Sequence, residues 1–166
     1  MKLSNVSQLY ISELRDLHNA SGRILDALPK FSRATTSQQL AGYLKGHLGN
    51  TKAQINRLNG MFEDLDQKTS GSRGNVMGSM ILEVHESLED AEQGPVMDAA
   101  LIAGMHGIEH TMIADFNTAL SYAKALGNTN HAALLKLCLN EEYVSAKEVS
   151  AFLPGLLEEC DHFTLE

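Results

Sequence analysis

The spacing of apolar residues in the first part of the chain admits few folds. Tyr10, Leu14, Leu17, Ser21, Ile24, Leu28 and Phe31 recur at alternating steps of four and three. That rhythm is the seam of a helix packed in a bundle, whereas a half-buried strand would alternate at every second residue. Every member is apolar or aromatic except Ser21, at the middle. The rhythm returns at Leu44, Leu48, Thr51, Ile55, Leu58, Phe62 and Leu65. It returns again at Ile102, Met105, Glu109, Met112, Phe116, Ala119 and Ala123, and finally at Leu135, Cys138, Glu142, Ser145, Val149 and Phe152. A shorter amphipathic stretch places Met77, Met80, Ile81, Val84 and Leu88 inward.

The breaks between these stripes carry helix-ending chemistry. Thr35-Thr36-Ser37 offers a hydroxyl cap for the second helix, and Asn128-Thr129 caps the fifth. Gly127 is suited to the C-terminal end of the fourth helix, and Pro95 to its first turn. Lys68–Asn75 is a loop by composition and lacks the GxxxxGK pattern of a phosphate cradle. Pro29 is expected to kink the first helix, and Pro154-Gly155 to end the fifth near Leu153. The expected organisation is one helical domain over residues 1–157 with a tail at 158–166. Two long hairpins are joined by a connection of about 28 residues that carries the short helix; that is ferritin-like connectivity, since an ordinary up-down bundle has short loops throughout. The fold class expected is therefore all-α, a ferritin-like four-helix bundle with an additional shorter helix in the crossover.

Charge and composition narrow the function classes. The net charge of −8 opposes binding to a phosphate backbone, so no nucleic-acid partner is expected. No apolar run approaches the roughly 20 residues that span a bilayer, and the first residues lack the apolar core of a signal peptide. The two cysteines, Cys138 and Cys160, make no disulfide framework. A cytoplasmic setting without membrane association is expected. Serine and cysteine nucleophile motifs are absent from the sequence.

The chemistry that remains lies on two seams. Glu109 and Glu142 are carboxylates at core positions, each near the middle of its helix. A buried carboxylate is costly unless paired, hydrogen-bonded or bound to metal. Hard carboxylate oxygens with an added imidazole suit iron or manganese. The opposite hairpin offers only His47, with Ser21 and Asn50 where further carboxylates would be wanted. The competing reading is a buried polar network, with Glu109 hydrogen-bonded to His47, His110, Ser21, Thr51 or Ser145. His106–His110, HGIEH, also matches the inverted zinc-protease pattern H-x-x-E-H. Here, however, Glu109 follows the apolar seam while both histidines flank it, and no sheet is expected to seat a peptide.

The segments LYISELRDLHNASGRILDALPKF, HLGNTKAQINRL, DAALIAGMHGIEH and LNEEYVSAK resemble the YciE/YciF group of bacterial ferritin-like proteins, in order and in spacing. The resemblance runs from about Val6 to Leu153 and implies a five-helix form of the ferritin-like bundle. It further implies a homodimer, a link to general stress responses and, in many members, a dinuclear metal site. Under that resemblance glutamates are expected where this chain has Ser21, Asn50 and Met112. The metal candidates left are Glu109, Glu142 and His47. The expected function is a stress-associated protein whose dinuclear site is degenerate, with a non-catalytic binding or structural role and at most weakly bound iron or manganese. The alternative is a di-iron or manganese carboxylate enzyme of ferroxidase, peroxidase or oxygenase type. Binding of a protein partner through the exposed faces is a third, default reading.

Overall fold

The computed structural model describes residues 3–71 and 74–160, and among them every regular element is a helix. The helices are α1 (Val6–Ala34), α2 (Gln38–Asp64), α3 (Val76–Asp90), α4 (Pro95–Ala125) and α5 (Thr129–Glu159). The caps are those the sequence offers. Asn5, Ser37 and Asn128 each accept a backbone N–H from the first turn of α1, α2 and α5. Gly127, just past α4, has φ of 68°, the left-handed conformation that glycine adopts without strain.

Two antiparallel hairpins, α1–α2 and α4–α5, pack as a four-helix bundle, with α1 against α4 and α2 against α5. The short helix α3 lies across α1 and α4. Buried polar clamps fix the direction of the second hairpin. At one end, Asp98 in the first turn of α4 accepts from Thr36 N–H at 3.0 Å, Thr36 O–H at 2.7 Å and Ser37 N–H at 3.0 Å. At the other, His131 near the start of α5 bonds Tyr10 Oη at 2.9 Å and Asp64 Oδ2 at 3.2 Å. The start of α4 thus sits beside the start of α2, so these two helices run the same way. Only a long crossover permits that order, and the segment containing α3 supplies it.

All of the α1 seam residues are buried, Ser21 included. The α4 seam is likewise buried from Ile102 to Ala123. Helix α1 runs through Pro29 to Ala34. Two local expectations are revised. Helix α5 continues through Pro154 to Glu159, because Phe152, Leu153 and Leu156 pack against the core and hold the last turns in place. And α2 departs from its expected stripe in the middle. Leu44, Thr51, Leu58 and Phe62 are buried as expected, but Leu48 and Ile55 are only half-buried, and His47 and Gln54 take the interior beside Thr51. Asn50 is exposed, so it does not face Ser21. Residues 161–166, the greater part of the expected tail, lie outside the described residues.

Candidate functional site

Midway along the bundle, α4 and α5 carry Glu109 and Glu142 into the core, at 0% and 2% exposure. Helix α2 meets them with a polar face. Tyr43, His47 and Gln54 fall at helical spacing on the side that Leu40, Leu44 and Leu58 continue as apolar surface at either end. An interior lined by carboxyl groups selects polar partners, since an unpaired buried oxygen costs about 1–3 kcal/mol.

Glu109 Oε1 accepts from the Tyr43 hydroxyl at 2.7 Å and from the Ser145 hydroxyl at 3.0 Å. His47 Nε2 lies 3.4 Å from the same oxygen. Ser145 Oγ is also 2.9 Å from Tyr43 Oη and 3.0 Å from His47 Nδ1. Tyr43 and His47 stack, with ring centroids 6.0 Å apart. The Gln54 amide donates to Glu142 Oε1 at 2.6 Å and to Glu141 Oε2 at 3.2 Å. Arg57 closes the rim, donating to Glu141 Oε2 at 2.7 Å and to the Cys138 sulfur at 3.6 Å.

Burial sets the protonation of the cluster. Desolvation first, and then the neighbouring Glu109 charge, raises Glu142 well above the ordinary carboxyl range. Burial also raises the Tyr43 phenol, helped by Glu109. It lowers His47, an effect that Glu109 partly offsets. Tyr43 is therefore a phenol donor, His47 is neutral at neutral pH, and Glu142 holds its proton to higher pH than an ordinary carboxyl group. Glu109 Oε2 is buried and has no hydrogen-bond partner among the described residues. Glu142 is close enough to Glu109 that hydrogen bonding between the two side chains raises it further. On α1, the buried Ser21 Oγ has no hydrogen-bond partner among the described residues.

The three sequence-derived candidates, Glu109, Glu142 and His47, are brought together. Of the other partners considered for Glu109, Ser145 bonds it, Thr51 instead donates back to the His47 carbonyl at 2.9 Å, and His110 points outward. Tyr43, the shortest contact to Glu109, has no place in the apolar seam of α2. Its signal in the sequence is the polar series Tyr43, His47, Gln54, which marks one helix face. Among the described residues, no group of three or more His, Cys, Asp or Glu side chains is arranged to hold a metal ion. Nor is any helix among them long and apolar enough to cross a membrane.

A family model described as a domain of unknown function, DUF892, matches residues 5–160. The chain belongs to the DUF892 family. Protein YciF of Escherichia coli strain K12 is 34% identical over 143 residues, which are 86% of each chain. The crystal structure of the E. coli stress protein YciF superposes with a TM-score of 0.90 at 30% identity, covering 95% of this chain and all of that one. YcfI from Rhodopseudomonas palustris gives a TM-score of 0.85 at 33% identity, covering 90% of this chain and 95% of its own. A ferritin-like, diiron-carboxylate protein from Bacillus anthracis shares the fold alone, at 12% identity and a TM-score of 0.71 over 91% of this chain and 99% of its own. Membership bears out the YciE/YciF resemblance, and the fold is the all-α, ferritin-like bundle that the stripes and crossover imply.

Proposed function

We infer that this chain is a stress-associated, ferritin-like protein in which a hydrogen-bond network occupies the place of a dinuclear metal site. Its role is then structural or binding, not catalytic. One observation carries the reading: Glu109 Oε1 is taken up by protein donors, Tyr43 at 2.7 Å and Ser145 at 3.0 Å. The donor set does not fit two divalent ions. Two carboxyl groups and one imidazole remain; burial disfavours the charged form of one carboxyl, Glu142, and Ser21 and Met112 are poor hard ligands. The stress association rests on the likeness to YciF. A cytoplasmic homodimer completes the reading; Leu137 and Val144, apolar and exposed on the outer face of α5, are consistent with a second copy there.

Elemental analysis tests it. Protein produced with iron, manganese and zinc available, then dialysed, is expected to keep no iron or manganese; two tightly held ions per chain overturn the reading. The metalloenzyme alternative predicts peroxide- or oxygen-dependent turnover that falls together with metal content in Glu109→Ala. Light scattering checks the dimer.

A further inference from the structure

The HGIEH segment is only half absorbed by the network. Glu109 points into the core, but His106 and His110 stand on the exposed side of α4. They are four residues apart, so their side chains are neighbours on one helix face. Their ring centroids lie 4.3 Å apart, with the planes inclined at 82°. His110 Nδ1 lies 3.0 Å from the His106 carbonyl oxygen. A carbonyl can only accept, so Nδ1 carries the hydrogen and Nε2 is left as a bare lone pair on the solvent side. A histidine whose second nitrogen is anchored in this way has its ring orientation and tautomer already set for ligation.

We propose that His106 and His110 form a two-histidine surface site for a divalent transition cation of borderline softness, such as Zn²⁺ or Cu²⁺. Paired imidazoles favour these ions over magnesium, calcium and manganese, which prefer oxygen. Two protein ligands leave the remaining coordination positions to water. Glu109 faces the other way, so the site lacks the general base of a zinc protease and the proposal is one of binding alone. This site is separate from the interior network and does not depend on how that network is read.

The test uses tag-free full-length protein titrated with Zn²⁺ and with Cu²⁺, alongside His106→Ala and His110→Ala. Both changes place a good helix former on an exposed helix surface, so the fold should survive, as circular dichroism will verify. The expected result is a single ion per chain, weakened by about tenfold or more in each variant. The Cu²⁺ electron paramagnetic resonance spectrum should carry two nitrogen couplings in the parent and one in either variant. Unchanged affinity in either variant, or no saturable binding by the parent, overturns the proposal. So does Zn²⁺-induced broadening of the His47 ring resonances instead of those of His106 and His110.

Discussion

Replacing Glu142 by glutamine isolates the protonation argument. In the unfolded chain Glu142 titrates near its ordinary value of 4.5; in the fold, burial and Glu109 raise it well above that. A raised acid favours the folded state fully below 4.5, and that advantage is lost as pH climbs through the folded value. Each pH unit inside that window therefore removes up to about 1.4 kcal/mol from the parent, or about 3–6 °C of melting temperature for a chain of this size. Glu142 is 2% exposed, so solvent does little to screen the effect. Glutamine is the same shape and does not titrate. Its oxygen can keep the Gln54 contact at 2.6 Å, and its amide can donate towards Glu109, where the acid proton stood. The variant should match the parent near pH 4.5 and become progressively more stable than it with rising pH. Urea unfolding of both proteins at fixed concentration from pH 4.5 to 8 measures the gap. The other shifted groups, Glu13 and His47 among them, are common to both proteins and cancel in the difference. Parallel profiles, or a variant less stable than the parent at pH 8, would refute a protonated Glu142.

Tyr43→Phe removes a donor to Glu109 with almost no change in volume, and should cost about 1.5–3 kcal/mol in denaturant unfolding, the usual range for a bond to a charged group. Ser21→Ala removes a buried hydroxyl without a partner and adds helix propensity, so a gain of about 1–3 kcal/mol is expected from the same assay. Gly104→Ala would set a Cβ into Val84 Cγ2, where α3 approaches α4 closely, and should cost about 1–3 kcal/mol. In a double-mutant cycle, Val84→Ala is expected to relieve that overlap, giving a favourable coupling between the two changes.

Much of this fold was legible because four of its helices are long and carry regular stripes. The seams of α1 and α4 appear in the structure residue for residue, since both bury mainly apolar side chains and apolar counting finds them. The α2 stripe holds at Leu44, Thr51, Leu58 and Phe62 but gives way at Leu48 and Ile55 for a physical reason. Where this helix faces Glu109 and Glu142, its inward residues are His47, Thr51 and Gln54, and the apolar Leu48 and Ile55 sit on the flank. Hydropathy reads the wrong face wherever the interior is itself polar. The same rule hid Tyr43, whose aromatic ring half-buries while its hydroxyl serves the core. Pro154 misled for a different reason: its missing N–H removes one helix bond, and the packing of Phe152, Leu153 and Leu156 outweighs that loss.

The network is lopsided, and its asymmetry bears on how the bundle is held. Tyr43 and His47 of α2, Glu109 of α4 and Ser145 of α5 meet around one oxygen, while Gln54 and Arg57 add further ties from α2 to α5. Helix α1 contributes Ser21 at its seam's middle, and that hydroxyl has no hydrogen-bond partner among the described residues. On its inward side at this depth α1 is therefore retained by apolar packing; its polar ties lie elsewhere, at Tyr10, at His18, which bonds Asn59 of α2 at 2.9 Å, and, through the turn that follows it, at Asp98. A dinuclear centre would draw ligands from both hairpins and cross-link all four helices. Hydrogen bonds to Glu109 and Glu142 join three. The helix they leave out is the one whose central seam residue is a serine, so a carboxylate at position 21 would supply both a ligand and the polar tie to the centre that α1 lacks.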